Sequence, residues 1–203
     1  MSLEEHKNQI EIQRLKAEGM ELETELTLFV DPALPKKYYL VRIKNRGFRK
    51  RKIKLRLDID FAIGEWPRPH LLRKAPMGCR LFVWSAFDEL AGDVVCAEGD
   101  NADENGVSCE LELGEGEVTQ RAFALFAGEP ERLISSTGRA SFPIAAAGTA
   151  ELEKAAANAL EAQKTAWRQR LGALQAETGD RDIDLLVNGL LLYQTFSSRL
   201  FAK

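Results

Sequence analysis

Between Lys52 and Phe61 the chain alternates without a slip. Ile53, Leu55, Leu57, Ile59 and Phe61 fall on one side, and Lys52, Lys54, Arg56, Asp58 and Asp60 on the other. A helix would scatter these groups around its axis; a pleated strand sorts them onto two faces. One greasy face and one wet face belong to an antiparallel sheet backed by a second layer. The preceding run, Tyr38 to Lys44, places Tyr39, Val41 and Ile43 on one face, and Asn45-Arg46-Gly47 between the two has turn chemistry. The expectation is a hairpin whose two strands pair directly.

The alternation recurs across the first three-quarters of the chain. Leu22, Thr24, Leu26 and Leu28 alternate with acids and Thr27 within Met20 to Val30, until Asp31-Pro32 and Pro35 break the run. Upstream, Ile10, Ile12 and Arg14 alternate, and Lys16-Ala17-Glu18-Gly19 reads as a hairpin loop. Further strands fit Cys79 to Trp84, Asp93 to Glu98, Val107 to Leu113 and Val118 to Ala127. Gly64, Pro67, Pro69, Pro76 and Gly78 make residues 64–78 a long loop, and the polar run 99–106 a solvated turn.

Near residue 145 the period changes. Leu152, Ala156, Leu160, Trp167, Leu171 and Leu174 recur at three/four spacing, interrupted by Gln163. Thr149 is placed to cap this helix, Glu151 and Glu153 suit its positive end, and Gly179 is placed to stop it. Asp180 caps a final helix to the end of the sequence. The predicted fold is therefore mainly β: an antiparallel β-sandwich over residues 1–147, then two helices over residues 148–203. Trp84 and Trp167 are expected to pack between elements.

That last helix carries Ile183, Leu185, Leu186, Val187, Leu190, Leu191, Leu192, Tyr193, Phe196, Leu200 and Phe201, apolar on more than one face. Such a helix requires burial against several elements, and the side of a small sandwich offers one. Leu186, Leu190, Tyr193, Leu200 and Phe201 are the expected contacts with a partner, a second copy or downstream chain.

Charge is segregated although the net charge is only −3. Residues 36–56 hold eleven bases and no acid; residues 85–117 hold eleven acids and no base. The basic block is either a polyanion patch or a set of outward residues opposed by acids across the sheet. The second reading is favoured, because aromatics do not alternate with the bases as nucleic-acid stacking requires, and nucleic acid is not an expected partner.

Chemistry is sparse. Cys79, Cys96 and Cys109 lack metal spacing and read as buried free thiols of a cytoplasmic protein, and His6 and His70 are the only histidines. Nucleophile-elbow, phosphate-loop and dinucleotide motifs are missing. Asp58 and Asp60 share a face, as catalytic carboxylate pairs do, but alternate acids on a wet strand face need no such role. The run Asp100 to Glu104 lacks calcium-loop spacing. Glu65, Trp66, Arg68 and His70, an aromatic among polar groups on a loop, form the one candidate carbohydrate contact. No catalytic residue, metal ligand or cofactor is expected in this chain.

The segment Asp182 to Leu200, with Asn188, Leu191-Leu192-Tyr193-Gln194 and Arg199, resembles the linker helix of glycoside hydrolase family 94, the cellobiose and chitobiose phosphorylases and the phosphorylase-like region of cyclic β-1,2-glucan synthases. Leu190 and Phe201 stand where that family often has Trp. Glu23 to Val30, Tyr39 to Asn45, Ile59 to Gly64, Pro69-His70-Leu71, and Trp167 with Leu171 are similar to its sandwich strands, loop and preceding helix. The resemblance implies the later part of a β-supersandwich followed by linker helices, ahead of an (α/α)6 barrel that lies beyond Lys203. The family's catalytic acid and phosphate-binding residues lie in that barrel, so no residue here inherits those roles. The expected role is a non-catalytic module, active in packing, oligomerisation and glycan contact, with inorganic phosphate as co-substrate if the parent is a phosphorylase. The expected partners are the barrel or a second copy, and a β-glucan or oligosaccharide. The competing expectation is a free-standing carbohydrate-binding sandwich.

Overall fold

The computed structural model describes residues 13–19, 21–61, 72–85, 91–128, 148–172 and 175–191. The chain is mainly antiparallel β-structure followed by helices. Ten strands are described: β1 (Gln13–Gly19), β2 (Leu22–Val30), β3 (Lys36–Asn45), β4 (Arg51–Asp58), β5 (Leu72–Met77), β6 (Arg80–Ser85), β7 (Ala91–Val95), β8 (Asn101–Ala102), β9 (Gly106–Leu113) and β10 (Val118–Gly128). Seven of them form a large sheet in the order β1-β2-β3-β10-β7-β6-β5, and three a small sheet in the order β4-β9-β8.

The expected β3–β4 hairpin does not form. β3 lies between β2 and β10 in the large sheet, whereas β4 pairs with β9 in the small one. The turn between them carries the chain from one layer to the other, and Asn45 holds the corner. Its side-chain amide donates to the carbonyls of Arg49 (2.8 Å), Leu113 (3.2 Å) and Gly114 (2.9 Å), and its oxygen accepts from the Gly47 N–H (3.0 Å). A fully buried amide is tolerated because its bonding capacity is used.

Three smaller corrections concern turns. Residues 16–19 belong to β1, paired with β2 as far as Gly19 opposite Leu22. The turn falls later, at Glu21, whose φ of 63° is left-handed. Part of the expected loop 64–78 is β5, which is an edge strand among the described residues and so accommodates Pro76. Within the polar run 99–106, Asn101–Ala102 form the short edge strand β8.

The two sheets pack face to face over Val41, Ile43, Leu81, Val83, Val94, Val107, Leu111, Leu113 and Phe123, with the three thiols among them. β4 crosses the large sheet obliquely. At its start, the Arg51 guanidinium meets the Glu21 carboxylate beside β2. Just past its end, the Phe61 ring lies on Gly92 in β7, where a Cβ would collide with the ring.

On the outer face of the large sheet lies α1 (Thr149–Leu171). Leu152, Ala156 and Ala159 pack on Phe29, Tyr38, Ala122, Ala124 and Phe126. The small residues on both sides let helix and sheet approach closely. Gly148, not Thr149, is the N-cap, without a side-chain bond, and the helix ends at Gly172, well before Gly179. Gln163, which breaks the apolar spacing, is nevertheless buried, as is Trp167. Asp180 caps α2 (Arg181–Leu185) as expected, accepting from the N–H groups of Asp182 and Ile183. The helix continues through a π-helical stretch at Leu186–Leu190.

Candidate functional site

Glu65, Trp66, Arg68 and His70 lie outside the described residues, as do Tyr193, Leu200, Phe201 and the side chain of Leu190. Of the expected helix contacts, Leu186 is described: it is 45% exposed, and Ile183, one turn before it, equally so. Asn188, from the segment resembling the linker helix, is buried and structural. Its oxygen accepts from the Ala176 N–H (2.7 Å) and its amide donates to the Ala176 carbonyl (2.8 Å). Together with Asp184, which accepts from the Thr178 N–H and hydroxyl (both 2.8 Å), it clasps the connecting segment to the helix.

The most unusual chemistry among the described residues is at the outer end of β3. Lys36 is only 6% exposed. Its Nζ lies 4.5 Å from the ring centroid of Tyr38 and 4.7 Å from that of Phe126, which register pairing puts directly opposite. Two rings thus flank the ammonium, and Phe29 stacks on Tyr38 with centroids 5.3 Å apart. Burial lowers the Lys36 pKa from 10.5 to about 8, partly offset by the carboxylate of Asp31. Burial likewise raises Tyr38 to about 12, with Asp31 adding in the same direction. Ring faces favour a cation, which explains how the amine is accommodated. The sequence offered little warning of this, since Pro35-Lys36-Lys37-Tyr38 looks like an exposed strand entry.

A second buried charge sits on the same sheet face. Asp93 is fully buried on β7, and the Arg80 guanidinium of β6 binds it through Nη2 and, at 3.4 Å, through Nε. Burial raises the Asp93 pKa, and the hydrogen bond and charge of Arg80 oppose it. Next to this pair, Phe82 and Trp84 stack with centroids 5.1 Å apart. The signal was present in the sequence as a single acid inside Ala91-Gly92-Asp93-Val94-Val95.

The three cysteines are free and buried. Burial is the main cause that raises all three thiols, Cys109 to about 11. Cys96 donates to the Cys79 carbonyl at 3.1 Å. These are inert packing thiols, since reactivity requires the thiolate.

The basic block resolves into two sets of cross-strand pairs. On β4, Lys52 lies opposite Glu112 and Lys54 opposite Glu110, both on β9. Glu112 accepts from Lys50 and, at 3.2 Å, from Lys52, and Arg56 binds Asp58 and Asp103. On β3, Arg42 and Lys44 lie opposite Glu25 and Glu23 of β2, acids from outside the acidic block. Among the described residues, no cluster of His, Cys, Asp or Glu could hold a metal ion. No described helix is long and apolar enough to cross a membrane.

No protein-family model matches the chain, and no curated protein matches it. Among solved structures, a polysaccharide lyase superposes with a TM-score of 0.41 at 12% identity, over 58% of this chain and 22% of its own. A protein described as a kojibiose phosphorylase from the human microbiome superposes with a TM-score of 0.39 at 12% identity, over 90% of this chain and 23% of its own. Both neighbours carry names of carbohydrate-active enzymes, and the chain spans under a quarter of either. Likeness at this level assigns neither family nor activity.

Proposed function

We propose that this chain is a non-catalytic sandwich-plus-linker module of a carbohydrate-active enzyme of the disaccharide-phosphorylase or cyclic-glucan-synthase kind, which packs against a helical catalytic domain. The observation that carries the reading is the apolar stripe of the C-terminal helix. Ile183 and Leu186 are each 45% exposed, one turn apart, inside the segment that resembles the family's linker helix. Two supports stand beside it. The helix comes after a sandwich, in the order the resemblance requires. The buried polar groups of the large sheet are taken up in packing, Lys36 against the Tyr38 and Phe126 rings and Asp93 against the Arg80 guanidinium.

The test is the size of the native polypeptide, read by immunoblot of source cells with an antibody to the sandwich. A band far above that of a 203-residue chain is expected. A band at that size overturns the proposal.

A further inference from the structure

Among the described residues, the small sheet covers one corner of the large one, and the exposure of inward-facing residues records where that cover thins. On β3, Ile43 and Val41 are 3% and 6% exposed, whereas Tyr39, nearer the strand's start, is only half-buried. On β10, Phe123 is buried, Leu125 half-buried and Ala127 exposed. On β2, Leu26 and Leu28 are half-buried and Val30 is 44% exposed. The buried ends of these strands lie toward Asn45, whose amide bonds the end of β9, and β8 bonds Gly78 on the same side. The half-open ends lie beyond the other edge of β4.

That edge of β4 is unpaired among the described residues: the small sheet runs β4-β9-β8, with β4 outermost. Its inward residues Ile53, Leu55 and Leu57 are half-buried too and share a core with Tyr39 and Leu125; Leu28 lies opposite Tyr39 in register, and the Lys37 ammonium sits 5.3 Å from the Tyr39 ring centroid. A strand edge beside half-open apolar side chains is suited to accept one more strand, the backbone supplying hydrogen bonds and alternate side chains packing on the half-covered core.

Charge specifies the visitor. The outward residues flanking an added strand would be Lys52, Lys54 and Arg56; Arg56 is engaged by Asp58 and Asp103 and Lys52 reaches Glu112 at 3.2 Å, but Lys52 and Lys54 are both exposed. A second copy is unsuitable: antiparallel pairing of β4 with itself sets Lys54 opposite Lys54, or Lys52 opposite Lys54, or Lys54 opposite Arg56, depending on register. Like charges directly opposite are destabilising, and edge lysines are a recognised block to self-pairing. The partner already paired with β4 shows what fits, since β9 alternates Cys109, Leu111 and Leu113 inward with Glu110 and Glu112 outward.

We propose that the edge of β4 facing away from β9, unpaired among the described residues, is a docking site for an extended polypeptide segment, supplied by another protein, that alternates apolar and acidic residues. The segment extends the small sheet to four strands and covers the half-buried Leu28, Tyr39 and Leu125.

The test uses the full chain and a fluorescent synthetic peptide alternating Ile or Val with Glu, measured by anisotropy. Two versions carry N-methyl groups on alternate residues, one set on each edge. Saturable binding is expected, abolished by one methylation register and retained by the other. Lys52→Glu with Lys54→Glu should weaken it about tenfold or more and favour a peptide with Lys in place of Glu. Absence of saturation at about millimolar peptide overturns the proposal, as does binding indifferent to methylation or to charge reversal. A short native polypeptide would refute the module reading and leave this result standing; failure of the peptide to bind would leave the module reading standing.

Discussion

Lys36 offers the sharpest test of the packing beneath α1. Its amine titrates at about 8 in the folded chain and at 10.5 when unperturbed. Between those values the unfolded chain holds the proton and the folded chain does not, so this residue's contribution to stability rises with pH across that window. The full gap corresponds to about 3.4 kcal/mol; solvent screening at the rim of the sheet reduces the expectation to about 1–2 kcal/mol. Other groups titrate nearby with the opposite sign. Tyr38 and the three buried thiols hold their protons in the folded state above the pH at which the unfolded chain loses them. The readout is therefore the difference between wild type and Lys36→Met, from urea unfolding at steps between about pH 7 and about pH 10. Met keeps the length and apolar stem and removes the titration. Wild type should gain about 1–2 kcal/mol relative to the variant as the pH rises through the window. A difference that is flat with pH, or that moves the other way, would refute the argument that burial dominates at this amine.

Arg80→Met should cost about 3–5 kcal/mol, because Asp93 is left buried without its guanidinium. Adding Asp93→Leu should recover most of that loss in urea titrations, and an equally unstable double variant would contradict the charge argument. Gly92→Ala should destabilise by about 1–3 kcal/mol through collision with Phe61. Phe61→Leu should relieve it, and additive effects in the double-mutant cycle would place the strain elsewhere. Native protein at mildly alkaline pH should react with a thiol reagent far more slowly than the urea-unfolded chain, which exposes all three cysteines; rapid native labelling would show that the sheets do not seal over them.

Periodicity made the strands legible and turn chemistry misled about their partners. Ile53 to Leu57 alternate because one face of β4 is wet, and that is local information. Which strand lies alongside is not local: Asn45-Arg46-Gly47 serves equally as a hairpin turn or as a step between layers, and Leu113, far along the chain, decides it by receiving the Asn45 amide. Alternate acids opposite alternate bases were readable as cross-strand pairs, but the sequence could not tell that Glu23 and Glu25 serve β3 while Glu110 and Glu112 serve β4. The helix cap at Asp180 was legible because a carboxylate bonding two free N–H groups is a short-range event. The π-helical stretch was not. Its i→i+5 bonding is wider than the α-helical turn, so it rotates the next turns of helix out of phase with a 3.6-residue reading, which smears an apolar face around the wheel. The enclosed amine of Lys36 was hidden for another reason: its rings come from β3 and β10, which meet only in the folded sheet.

The order of strands has a consequence for synthesis on the ribosome. β1-β2-β3 and β5-β6-β7 are each runs of sequential neighbours that can zip locally. Neither run touches the other until β10, the last strand described, slides between β3 and β7. β4 also waits, because β9 emerges some fifty residues after it. Between the completion of β7 at Val95 and that of β10 at Gly128, the nascent chain therefore carries two half-sheets with raw inner edges. The domain closes in a single late event, when the keystone at residues 118–128 leaves the exit tunnel.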